Sequence, residues 1–123
     1  MQKAQQCAIA CDTTVFSPAE RERFTAAATR LLQTTVEVVT RPDGYALRFE
    51  DAPDLLPQLL DFFVHDRQCC PFIRHTLDSD PNGGPLWLGL GGSPAAQAYI
   101  ASELVRAIPA AVAQAAGLGC CCE

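Results

Sequence analysis

The sequence predicts an α+β domain in the order helix, hairpin, helix, hairpin, helix, with one antiparallel sheet of about four strands covered by helices on one face. Three observations carry that expectation. Ser17-Pro18-Ala19 and Ser93-Pro94-Ala95 each read as a helix start, with an N-cap serine and a proline at the first helical position. Pro42-Asp43-Gly44 and the stretch from Ser79 to Pro85 are turn signals between runs of strand-forming residues. Finally, 49% of the 123 residues are hydrophobic, enough for a single domain to bury a core without covalent staples.

Residues 1–16 read as an N-terminal leader, in which Thr13-Thr14-Val15-Phe16 leans towards a short strand because it is β-branched and aromatic. Residues 17–116 form the domain, and residues 117–123 a flexible cysteine-rich tail. The first helix is expected at about 18–33. Glu20 completes a capping box with Ser17, and Phe24, Ala27, Ala28, Leu31 and Leu32 recur on one face. Val36 and Val38 begin a hairpin that turns at Pro42-Asp43-Gly44, with the glycine available for a positive φ. It returns through Tyr45, Leu47 and Phe49, which alternate with Ala46, Arg48 and Glu50.

Asp51 or Asp54 caps a second helix whose apolar face is read as Leu56, Leu59, Leu60, Phe63 and Val64. It should stop by Cys70, because the residue before Pro71 is pushed out of the α region. A second hairpin pairs Phe72–Asp78 with Leu86–Leu90. The last helix spans about 94–116, split or kinked at Pro109 and stopped at Gly117.

The net charge of −5 argues against nonspecific binding to nucleic acid phosphates. No run of 18 apolar residues could span a membrane. The polar first residues lack the apolar region of a signal peptide, so a cytoplasmic location, with reduced thiols, is expected.

Chemistry concentrates in seven cysteines: Cys7, Cys11, the adjacent pair Cys69-Cys70, and the run Cys120-Cys121-Cys122. The number is odd and five lie in adjacent runs, unlike the spread, even-numbered cysteines of a disulfide framework. Thiolates are soft ligands for soft ions. Packing alone accounts for one cysteine at the helix–strand junction more readily than for two in a row. Arg67 and Arg74 lie close enough in sequence to lower the Cys69 and Cys70 pKa values. His65 shares a helix face with Cys69 and is either a further ligand or base, or a solvated group; His75 reads as structural. Cys11 adjoins the domain and is a better candidate ligand than Cys7. A triple-cysteine arm after Gly117 and Gly119 suits stepwise transfer of an ion between sulfurs, as in thiol exchange.

Two resemblances follow from these residues. The vicinal cysteines of the tail resemble the carboxy-terminal cysteine pair of mercuric reductases, which ferries Hg(II) inward, although no flavin or nucleotide domain accompanies them here. Cys69-Cys70-Pro71-Phe72 and Gly83-Gly84-Pro85-Leu86-Trp87-Leu88 resemble segments of small uncharacterised bacterial proteins encoded near mercury or arsenic resistance genes.

The expected function is binding and trafficking of a soft ion, Hg(II) first and As(III) or Cu(I) otherwise, without an organic cofactor. Cys69, Cys70 and Cys11 would form the domain site and Cys120, Cys121 and Cys122 the delivery arm, serving a metal-handling partner or bridging a homodimer. Two alternatives are an organomercurial-cleaving enzyme using Cys69, Cys70 and Asp66 as acid, and a redox protein with a vicinal Cys69–Cys70 disulfide resolved by the tail. For Asp66, the competing reading is a solvated helix residue.

Overall fold

The computed structural model describes residues 9–118. It contains helix α1 (Pro18–Leu32), strands β1 (Glu37–Arg41) and β2 (Gly44–Phe49), helix α2 (Leu55–Cys69), strands β3 (Arg74–Ser79) and β4 (Leu86–Gly91), and helices α3 (Pro94–Ala107) and α4 (Ala110–Ala115). The four strands form one antiparallel sheet in the order β1-β2-β4-β3, so the second hairpin docks its return strand against the first. The expected α+β architecture is observed.

Register explains which face is covered. Leu47 pairs with Val38 and Leu88, Tyr45 with Leu90, and Phe49 with Leu86, so the apolar positions of neighbouring strands share one face. Leu47, Phe49 and Leu88 are fully buried there, against Leu31 of α1, Leu59 of α2 and Ile100 of α3. The opposite face carries charge: Arg48 pairs with Glu37 and Glu50 at 2.8 Å each, and the Arg41 guanidinium lies 6.0 Å from the Trp87 ring centre.

The helix boundaries follow local chemistry. Ser17 and Glu20 form the capping box of α1, and Ser93 accepts from the Ala96 amide at the start of α3. Ile108, forced out of the helical region before Pro109, separates α3 from α4. Gly117 takes φ 79°; its amide bonds the Gln114 carbonyl while the Leu118 amide bonds that of Ala113, a Schellman stop. Leu118, beyond the expected domain boundary, is buried in the core.

Three expectations about turns and strands are corrected. Thr13–Val15 is a 3₁₀ turn, not a strand, because Asp12 accepts from the Thr14 amide and closes the backbone locally. Phe16 then enters the core, 5.5 Å from the Phe24 ring. Strand β3 starts at Arg74 rather than Phe72, after a turn in which the Ile73 amide bonds the Cys70 carbonyl. Gly44 is not among the residues with positive φ; it is glycine because a Cβ there would collide with the Leu90 carbonyl oxygen on β4.

The inward face of α2 is Leu55, Leu59, Phe62 and Cys69, whereas Leu56, Leu60 and Val64 are exposed. Apolar residues lie on both sides of this helix, and packing chose the stripe that also carries Asp66.

Gly44→Ala therefore meets backbone, which cannot rotate away. We expect a loss on the order of 3 kcal/mol, at the upper end of ordinary single substitutions, read as a lowered midpoint in urea denaturation. A midpoint within error of wild type would refute the close approach.

Candidate metal centre

Three structural segments meet at the end of α2. Pro71 ends the helix, so Cys69 is its last helical residue while Cys70 adopts φ −126° and ψ 65°. The break swings two adjacent side chains, which would otherwise diverge, to the same side: their Sγ atoms lie 3.7 Å apart. The Asp12 amide donates to the Cys69 carbonyl at 2.8 Å and the Cys11 amide to the Tyr99 hydroxyl at 3.2 Å. These two bonds draw the N-terminal segment onto α2 and α3. Cys11 arrives with its Cα 4.6 Å from that of Cys70, and the two are joined as a disulfide.

Asp66, one turn before the cysteines, completes the group. Its Oδ1 lies 3.7 Å from Cys70 Sγ and 4.0 Å from Cys69 Sγ, and its Oδ2 is 2.7 Å from His75 Nε2. One ligand atom from each of Cys11, Asp66, Cys69 and Cys70 lies within 4.8 Å of every other, a grouping that could hold a metal ion. His75 reaches Asp66 because it sits opposite Leu90 on the covered face of the sheet, where its side chain is 3% exposed. Its ring packs on Phe63, 5.7 Å between centres.

Both central cysteines are buried, 1% exposed for Cys69 and 0% for Cys70. They line a cavity of about 340 Å³ between α1 and α3, whose walls include Ala28, Leu32, Ile100 and Leu104. Burial, reinforced by the Asp66 carboxylate, pushes the Cys69 thiol up to about 11.

Several expectations change here. The expected lowering of thiol pKa by Arg67 and Arg74 is not found. Arg74 alternates onto the open face of the sheet and pairs with Asp43, and the charges acting on Cys69 are acidic. Asp66 is not a solvated helix residue, for its side chain is only 13% exposed. The chain was expected to hold free thiols, or a vicinal Cys69–Cys70 disulfide; the bridge is Cys11–Cys70, and Cys69 is the free thiol among the described residues. His65 stands outside the cluster, bonded to the Asp61 carbonyl at 2.8 Å and stacked on Phe24. Cys11 is brought together with Cys69 and Cys70, bridged to the latter. Cys7, Cys120, Cys121 and Cys122 lie outside the described residues.

Sequence reasoning underrated Asp66. The signal was present: Leu55, Leu59, Phe62, Asp66 and Cys69 follow helical spacing, so an inward Cys69 places Asp66 inward as well.

No helix among the described residues is long and apolar enough to cross a membrane. No protein-family model, no curated protein and no solved structure matches the chain.

The thiol environment makes a direct forecast. Because the Cys69 pKa is raised, its alkylation by iodoacetamide should be slow near pH 7 and climb with a midpoint at about pH 11. Asp66→Asn removes the neighbouring negative charge and should move the climb to lower pH. A rate profile with its midpoint near 9 in the wild-type protein would contradict the assigned surroundings.

Proposed function

We propose that this protein binds a soft, thiophilic metal ion at Cys11, Cys69 and Cys70, with Asp66 as a fourth donor. The observation that carries the reading is the convergence of those four ligand atoms within 4.8 Å of one another. Three sulfurs and one carboxylate suit a soft or borderline ion in a compact, low-coordinate site, and suit poorly the oxygen-only shells of Mg²⁺ or Ca²⁺. Hg(II) is the first choice of ion, with As(III) and Cu(I) next. Sulfur softness and the resemblance to proteins encoded near mercury and arsenic resistance genes support that choice. In this reading Cys120, Cys121 and Cys122 collect the ion and pass it to the cluster or to a metal-handling partner, one sulfur displacing another.

Titration of the anaerobically reduced chain with Hg(II), Cu(I) and arsenite, followed by native mass spectrometry, tests the proposal. One tightly held ion should survive deletion of residues 119–123. Cys69→Ser and Cys70→Ser should each weaken binding by about 100-fold or more, since even outer-shell losses cost 10- to 100-fold. Binding unchanged in both serine variants would remove the site.

A second reading is favoured by one further observation, the approach of Asp66 Oδ1 to both Cys69 and Cys70 Sγ. In a reduced site, sulfur binding to an organomercury cation would release a thiol proton to Asp66. Asp66 would then protonate the departing carbon as the carbon–mercury bond breaks, leaving Hg(II) on the thiolates and releasing a hydrocarbon. Benzene release from phenylmercury, abolished in Asp66→Asn while Hg(II) is still held by the three sulfurs with the carboxylate donor lost, is the expected result. Absence of benzene from the wild-type reaction would exclude this chemistry.

A further inference from the structure

The disulfide and the proposed metal centre claim the same sulfur atoms. Cys11 and Cys70 are bridged, and both belong to the four-residue cluster. A bridged sulfur has no thiolate charge with which to hold a soft cation, because the thiolate is the metal ligand. In the oxidised cluster Cys69 and Asp66 remain as donors; reduction adds two sulfurs and makes the set of four complete.

We infer that the Cys11–Cys70 bridge is a redox lock on the metal centre, closed when the site is empty and oxidised, and open only after two-electron reduction. This inference rests on the metal-binding reading and names how that same site is regulated.

The lock can work because reduction need not dismantle the site. Cys11 is held from both sides of its bridge by contacts that do not involve sulfur. The Asp12 amide bonds the Cys69 carbonyl, the Cys11 amide bonds the Tyr99 hydroxyl, and Phe16 is sealed in the core beside Phe24. When the S–S bond breaks, these contacts keep the Cys11 thiol beside Cys70, so the open form is already arranged for a ligand. Asp66 is fixed independently by His75, and Cys69 by its place in α2.

The chemistry balances with a thiol reductant. Two equivalents of a low-molecular-weight thiol break the one S–S bond by exchange, deliver two electrons and two protons to Cys11 and Cys70, and leave as their own disulfide. A metal ion then takes the thiolates and the thiol protons pass to solvent. Conversely, a bound ion occupies the electron pairs that an oxidant must attack, so loading protects the site from closing. Cys11, the half-buried partner of the bridge, lines the cavity between α1 and α3, and its sulfur is the one an exchanging thiol would attack.

Cd(II) is a suitable probe, because thiolate coordination gives a charge-transfer absorption that reports sulfur ligation directly. The full-length chain carrying Cys7→Ser, Cys120→Ser, Cys121→Ser and Cys122→Ser leaves only the three cluster cysteines. It would be titrated after phosphine reduction and after diamide oxidation. The reduced form should bind one Cd(II) with the thiolate band, and the oxidised form should bind at least about 100-fold more weakly. Prior loading with Cd(II) should slow diamide closure at least tenfold. Peptide mapping of the oxidised wild-type chain should recover the Cys11–Cys70 cross-link.

Equal affinity in both redox forms would overturn the lock and leave the metal site standing. So would an oxidised wild-type chain without the Cys11–Cys70 cross-link. Failure of the reduced form to bind Cd(II), Hg(II) or Cu(I) would overturn the metal reading and the lock with it.

Discussion

The carbonyl of Cys69, the last residue of α2, accepts the Asp12 amide at 2.8 Å, and on that bond the arrangement of the site depends. A helix end leaves its final carbonyls without intrahelical partners. Here one is satisfied by a chain segment more than fifty residues away, which brings Cys11 with it. Pro71 contributes the other half, since a helix that continued would carry Cys70 around to a different side. The stop signal and the distant amide together turn an adjacent pair of cysteines into one wall of a shared site.

Burying this much polarity beneath α1 and α3 is tolerated because the groups answer one another. Asp66 faces the sulfurs with one oxygen and His75 with the other, so its carboxylate is not an isolated charge in an apolar setting. His75 is in turn held by its register opposite Leu90 and by Phe63. The bridge adds a covalent tie across a separation of 59 residues. Loop-closure entropy values such a tie at roughly 4 kcal/mol. For a domain of ordinary marginal stability that is a large share of the total, so the redox state of two sulfurs bears on folding as well as on ligand chemistry.

Much of the fold was legible because its signals are local. Serine caps, prolines at first helical positions, the Pro109 break and the Gly117 stop each act within a few residues. The alternation in Tyr45–Phe49 likewise fixed the covered face of the sheet. What escaped was decided by packing between distant segments. Helix α2 is apolar on two sides, and nothing in Leu56, Leu60 and Val64 alone reveals that Leu55, Leu59 and Phe62 face inward. Gly44 reads as a turn glycine until β4 is laid beside it. At the site, the sequence pointed to Cys69, Cys70 and Cys11, but the pairing of Cys11 with Cys70 depends on the Asp12 and Tyr99 hydrogen bonds. The strand propensity of Thr13–Phe16 gave way to a single aspartate side chain.

Leu118 has a consequence for where the domain ends. Because its side chain is buried and its amide closes the Schellman stop, the chain leaves the domain from a fixed point. A chain cut after Ala116 would lose a core side chain and leave carbonyls of the last turn open, so the folded unit runs on to this leucine.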